Sequence, residues 1–239
     1  LLRIYWTLNK AEYEALEKAR LERNLAYMEA GVNFIDLKMA YIDEGVKIGK
    51  GTTIYPCAVI EGDVTIGENC VIGQNTRIKD SVIGDGVTIQ SSVILESKIG
   101  NETTVGPFAY LRPGSDIGNK CRVGDFVEIK NSKLGDGAKA SHLTYVGDSD
   151  VGEKVNLGCG VVFVNYDGSK KYRSVVEDGA FIGCNVNLIS PVNVGKGAYV
   201  AAGSTITEDV PDGALYVARS REKILEGWVE KKGILKKNK

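Results

Sequence analysis

Histidine is all but missing from this chain. Its 239 residues contain one, His142, within the stretch KASHLTYVGD. Excess charge is missing too: 30 basic and 31 acidic residues leave a formal net charge of -1. No long-range field therefore draws the chain to nucleic acid or an anionic membrane, and any anion site must be local. There is no apolar run long enough to span a bilayer and no signal-peptide pattern. The cysteines, Cys57, Cys70, Cys121, Cys159 and Cys184, are five in number and none forms a Cys-x-x-Cys pair. An odd, scattered set argues against a disulfide framework or structural zinc and fits a reducing cytoplasm. The chain begins at Leu1 rather than Met, as a piece of a longer protein would.

What is present falls into three stretches. Residues 1–45 hold a helix, NKAEYEALEKARLERNLAYMEA over 9–30, and a lead-in. Asn9 and Glu12 can form a capping box, and Gly31 suits the stop. The apolar stripe (Ala15, Leu16, Ala19, Met28) is thin, so the helix should lean on something else. Residues 46–210 then carry an aliphatic at every sixth position, usually followed by Gly: Ile48-Gly49, Ile66-Gly67, Ile83-Gly84, Ile99-Gly100, Val123-Gly124, Val146-Gly147 and Ile182-Gly183. A period of six is neither helical nor that of a simple strand. It is the hexapeptide signature of a parallel β-helix, in which three short strands make one triangular coil. The aliphatic fills the prism and the Gly is expected to ease the corner. Cys70 and Cys121 fall where a small core residue fits. About 27 hexads make about nine coils, a prism roughly 40 Å long. The polar stretch NYDGSKKYRS interrupts the repeat, and a loop that breaks a solenoid is more often functional than idle. Residues 211–239 form a tail with a short amphipathic helix, whose apolar side is Ile224, Leu225, Trp228 and Val229.

Stacked coils put residues three hexads apart one above another. Leu111, Ile129, Val146 and Phe163 form one column, so Arg112 and Lys130 should sit about 5 Å apart. Two such cations repel unless an anion lies by them, which reads as a phosphate clamp or as a solvated charged edge. Ala140, Leu157, Ile182 and Val200 form a second column. Two residues beyond each lie His142, Cys159, Cys184 and Ala202, a ladder of small residues above the histidine spanning roughly 14 Å. Such a ladder suits an extended pantetheine arm, or merely suits coil geometry.

The motifs GPFAYLRPGSDIG, GDFVEIKNS, KASHLTYVGD, VNLGCG, VNYDG, FIGCNVNLISPV, AAGSTIT and VARS resemble, in order and spacing, the acetyltransferase half of the GlmU family. These bacterial proteins are bifunctional glucosamine-1-phosphate N-acetyltransferases and N-acetylglucosamine-1-phosphate uridylyltransferases. The resemblance is strongest over about residues 105–220. It implies a left-handed coil, a cytoplasmic homotrimer, and acetyl-CoA with glucosamine 1-phosphate as substrates, without metal. It makes His142 the general base and puts Arg112, Lys130, Tyr145, Asn156 and Lys171 at the sugar phosphate. Asn165 and Tyr166 fall where the acetyl donor is met, and Cys159, Cys184, Ala202 and Arg219 along the acetyl-CoA path. Cys159 and Cys184 depart from the family's Ala and Ser. The nucleotide loop of the uridylyltransferase half is not in these residues, so UDP-sugar formation is not expected of them.

For acetyl transfer an amine must shed a proton, and an imidazole, which ordinarily titrates at about pH 6.5, suits that task. Glu128, two residues before Lys130, could orient the imidazole or hold the sugar. A hexapeptide carbonic anhydrase would need three zinc-binding histidines and is excluded. The remaining rivals are a non-catalytic β-helix that oligomerises or regulates a sugar nucleotidyltransferase, and a hexapeptide acyltransferase with another amine acceptor.

Overall fold

In the computed structural model, which describes residues 8–233, the six-residue period becomes a prism of three parallel sheets. The sheets have eleven, ten and nine strands, and the chain makes about ten turns. The strands are two to four residues long, because each face of the triangle holds only one inward side chain before the chain turns. Those side chains, among them Ile54, Ile60, Ile66, Ile72, Ile89, Leu111 and Phe163, are buried and form one continuous core. Cys70 and Cys121 belong to it. Each thiol donates to a carbonyl of the next coil, Gly84 O and Gly135 O at 3.1 Å, and burial raises both pKa values.

The expected columns are present. Ala140 lies beside Leu157, Leu157 beside Ile182 and Ile182 beside Val200. Leu111 lies beside Ile129 and Ile129 beside Val146, while Phe163 continues to Leu188. The 165–174 insertion therefore loops out without shifting the coils.

Several expectations need correction. The glycine after each aliphatic does not turn the corner. A Cβ on Gly49 would come within 2.5 Å of the Gly67 carbonyl carbon, and one on Gly100 within 2.6 Å of that of Gly118. Neither glycine has a positive φ. The repeat glycine is there because successive coils approach too closely for a side chain. The left-handed corner comes two residues later, at Gly51 and Gly86, or at Asn69 and Glu102.

The prism also begins before residue 46 and runs past residue 210. Asn33–Phe34 and Tyr41–Ile42 are its first strands and Leu215–Tyr216 its last. Those end strands carry inward residues such as Ile42 with no glycine after them.

The helix Lys10–Glu29 has its capping box, Asn9 with Glu12. It leans on the prism through polar groups rather than its thin stripe, and Met28 is exposed. Arg20 donates to Ala40 O at 2.8 Å, Arg23 to Ile42 O at 2.6 Å, and Asn24 to Leu37 O and Ala40 O. Tyr27 Oη donates to Val46 O. At the far end only Trp228–Lys231 is helical. The expected short C-terminal helix is thus present as one turn; Ile224 and Leu225 precede it, and Ile224, Leu225, Trp228 and Val229 are all exposed.

Candidate active site

His142 closes the strand Lys139–His142, and Asp125 closes the strand Arg122–Asp125 on the coil below, in register with it. Both chains then turn through a left-handed residue, Phe126 at φ 54° and Leu143 at φ 48°. Imidazole and carboxylate thus stand together at the lip of a corner. His142 Nδ1 lies 2.5 Å from Asp125 Oδ1. An ionised carboxylate can only accept, so Nδ1 holds a proton, and in the neutral imidazole Nε2 is then the nitrogen with the lone pair. The hydrogen bond from His142 is the main reason the Asp125 carboxyl titrates below its ordinary range. Both side chains are part-exposed, at 50% and 37%. Asp125 was not singled out by the sequence reading. Counting one coil back from His142 would have found it.

Across the corner, on the second sheet, stand the cations. Arg112 and Lys130 do sit on neighbouring rungs, and their repulsion is met by carboxylates within the chain. Arg112 donates to Glu128 at 2.8 Å, and Lys130 Nζ lies 3.0 Å from Asp148. Glu128 is therefore engaged with Arg112, and the imidazole's partner is Asp125. The Glu128 bond raises the Arg112 pKa. Burial pulls the Lys130 ammonium down, but its bonds to Asp148 outweigh that and leave it raised.

Asp148 is the hub of this side, and it too went unremarked in the sequence. It is buried and accepts from Lys130, from Asn131 at 2.6 Å and from Asn165 at 2.5 Å. Burial alone would raise its pKa; these bonds hold it below the ordinary value. Asn165, expected at the acetyl donor, is itself buried and directs an amide N–H to Asp148. Tyr145 lies over Gly147, where a Cβ would collide with the phenol oxygen and with Asn165 Nδ2. Gly147 is in register with Lys130. The missing side chain is what lets Tyr145, Asn165 and Lys130 converge.

The 165–174 loop has structure of its own. Tyr166 pairs with Lys171 in an isolated antiparallel bridge, and Asp167 accepts from the Ser169 and Lys170 backbones at 2.7 and 2.6 Å. The Tyr166 phenol donates to Gly168 O at 2.7 Å. Arg173 anchors the returning limb with a two-pronged contact to Asp150, both bonds 2.6 Å. The loop carries Lys171 to Lys130, which is the main reason the Lys171 pKa falls; Arg112 adds to it. Three cations meet here with two carboxylates, and an oxyanion would relieve the crowding.

Cys159, Cys184 and Ala202 stand above His142 on successive rungs, the first half-buried and the others exposed. Asn156 lies half-buried on the same sheet, between Lys139 and Phe181. Arg219 is exposed on the segment beyond the last strand. A shallow depression on the third sheet, lined by Asp116, Lys133, Asp136, Asp150 and Glu177 among others, includes neither His142 nor the three cations.

The family models matched are the GMPPB C-terminal domain over residues 39–112 and the bacterial transferase hexapeptide (six repeats) over residues 96–131 and 173–208. The bifunctional protein GlmU of Clostridium botulinum (strain Kyoto) is 56% identical over 227 residues, 95% of this chain and 49% of its own. That of Clostridioides difficile is 55% identical over 225 residues, 94% of this chain and 48% of its own. Over the length it spans, the chain belongs to the GlmU family. It covers about half of each of these GlmU relatives. The hexapeptide repeat is that of the left-handed β-helix. Among solved structures, the UDP-N-acetylglucosamine acyltransferase of Francisella novicida aligns with a TM-score of 0.54 at 22% identity, covering 75% of this chain and 65% of that one. The Campylobacter jejuni enzyme of the same name aligns at 0.52 and 21%, covering 76% and 71%. At that identity they share the fold. No helix among the described residues is long and apolar enough to cross a membrane.

Proposed function

We propose that this GlmU-family chain is a glucosamine-1-phosphate N-acetyltransferase. It would move acetyl from acetyl-CoA to the 2-amino group of α-D-glucosamine 1-phosphate, in the cytoplasm, on the way to UDP-GlcNAc and cell-wall precursors. The observation that carries the reading is the Asp125–His142 pair at the foot of the small-residue column, one corner away from Arg112, Lys130 and Lys171.

The chemistry follows from those groups. The amine must enter as its neutral form. Because Asp125 holds the Nδ1 proton, Nε2 is the nitrogen left to take a proton from the amine as it attacks. Acetyl-CoA supplies the activated acetyl group. As the N–C bond forms and the C–S bond breaks, the imidazolium returns its proton to the departing thiolate. Arg112, Lys130 and Lys171 hold the phosphate. Lys171, whose ammonium is disfavoured beside Lys130, gains most from an anion. Cys159, Cys184 and Ala202 leave the outward side of their column low, which suits an extended donor lying against the coils. Gly158 and Gly183, next to the two cysteines, are small for a different reason: a Cβ there would strike the backbone of the coil above, at 2.7 and 2.5 Å.

Thiol release from acetyl-CoA, with and without glucosamine 1-phosphate, tests the reading. The parent chain is expected to show acceptor-dependent release, and His142→Ala to lose on the order of 10²- to 10⁴-fold. A folded parent without release would leave the prism as an oligomerisation module. The reading also takes the chain as a homotrimer with sites between subunits. An active monomer in sedimentation would overturn that part.

A further inference from the structure

Five cysteines are spread over the prism, and only two of them are neighbours. Leu157 and Ile182 are paired in register. Beyond them, Gly158 N–H donates to Ile182 O at 2.8 Å, and Asn185 N–H donates to Cys159 O at 2.8 Å. The strands end at Leu157 and Ile182; Cys159 and Cys184 sit in the turns that follow, and these bonds keep the two turns stacked one coil on the next. Successive coils of the ladder are stacked about 4.8 Å apart. Disulfides join residues whose Cα atoms are usually about 4.4–6.8 Å apart. The pair is within reach of a bond, and it is accessible: Cys159 is half-buried and Cys184 exposed. Cys70 and Cys121 differ on both counts. They are buried, each thiol is bonded to a carbonyl, and they lie three rungs apart in the core. Cys57 sits on a corner near the other end of the prism.

We propose that Cys159 and Cys184 form a reversible dithiol–disulfide pair, a redox-modifiable site laid across the small-residue column. Two thiols lose two protons and two electrons to become the disulfide. A low-molecular-weight disulfide takes up both and leaves as two thiols, by exchange through a mixed disulfide. Strand spacing also sets the character of the bond. The coils are about 4.8 Å apart, whereas a disulfide draws its Cβ atoms to about 3.5–4.5 Å. Closure must pinch two rungs together, and a pinched disulfide is more readily reduced than a relaxed one. It therefore behaves as a labile link and not as a structural staple. The consequence for acetyl transfer rests on the function proposed above: a sulfur bridge across two rungs would stand where the donor is to lie.

The test uses the full chain with oxidised glutathione, followed by blocking of free thiols and peptide mapping by mass spectrometry. The expected product is an intramolecular Cys159–Cys184 link, a loss of two titratable thiols that dithiothreitol restores. Cys57→Ser should leave that link unchanged, and Cys184→Ser should abolish it. Separate glutathione adducts on the two cysteines, a link between subunits, or no reaction in the folded protein would overturn the proposal. Acetyl transfer is read on the same samples. Linked protein that falls at least tenfold in rate and recovers on reduction supports both the pair and its place on the donor path. Linked protein with unchanged rate keeps the dithiol pair and overturns that placement of the donor.

Discussion

Asp125 and His142 hold the same place on successive coils, so the ladder that builds the prism also sets the carboxylate against Nδ1, at 2.5 Å. No loop has to fold correctly for the pair to form; the strand register suffices. Asp125→Asn keeps the shape and removes the charge. Acetyl transfer is expected to fall roughly tenfold or more in kcat with KM for both substrates little changed, as for a carboxylate that positions the proposed base through His142 Nδ1. Because the Asp125 pKa is held below its ordinary value, the carboxylate is ionised throughout the neutral range. Its support for the imidazole should fade only in acid, as pH falls through that lowered value. A pH–rate profile of parent and variant checks this; an equal change in KM and none in kcat would refute the positioning role.

Asp148 should matter more for stability. Its oxygens serve Lys130, Asn131 and Asn165 at once, within a buried setting. Asp148→Ala leaves the half-buried Lys130 ammonium and two amides without their acceptor and is expected to cost about 1–3 kcal/mol, read from the denaturant midpoint. The native Asp148 pKa is lowered, so its contribution is complete above the unfolded carboxyl's value and disappears as pH falls through the folded one. Parent and variant should converge in stability in that acid range.

Lys171 is a cation placed where a cation is disfavoured. Lys171→Ala is expected to leave the melting temperature of the free protein unchanged or slightly raised. The same change should raise KM for the phosphate-bearing acceptor severalfold and hardly affect plain glucosamine. An equal loss on both acceptors would mean that Lys171 serves the loop and not the phosphate.

The two kinds of glycine should respond differently. Gly100→Ala presses a methyl group on the Gly118 backbone and is expected to cost about 1–3 kcal/mol. Gly86 has φ 64°, and a Cβ there would meet Glu102 only at ordinary van der Waals distance, 3.7 Å. Asn69 and Asn75 already take that conformation elsewhere, so Gly86→Asn should stay within about 0.5 kcal/mol of the parent. Thermal or denaturant unfolding of the two variants separates them.

The six-residue period made the prism readable, because burying one aliphatic per face is a local requirement repeated along the whole chain. The columns through Ala140 and Leu111 followed from it by counting. What escaped was whatever the columns do to each other. Asp125 and Asp148 are ordinary acids in the sequence, and only stacking shows that one orients His142 and the other gathers Lys130 and Asn165. The repeat glycines were assigned to corners because glycine usually marks turns, whereas their true constraint is the coil above. At both ends the pattern weakened. The first two strands, Asn33–Phe34 and Tyr41–Ile42, carry no repeat glycine, and the apolar residues 224–229 had nothing described to pack against.

The Lys10–Glu29 helix has a wider meaning than its packing. In a stack of parallel coils every rung satisfies the backbone of the next, except at the ends. At the lower end the carbonyls of Leu37, Ala40, Ile42 and Val46 face away from the stack, and Asn24, Arg20, Arg23 and Tyr27 supply the donors they would otherwise lack. Such an uncovered rung is a template on which a further coil, or another copy of the prism, can be laid. The helix is thus a terminator of growth, which keeps a structure built by repetition from being extended by its own neighbours.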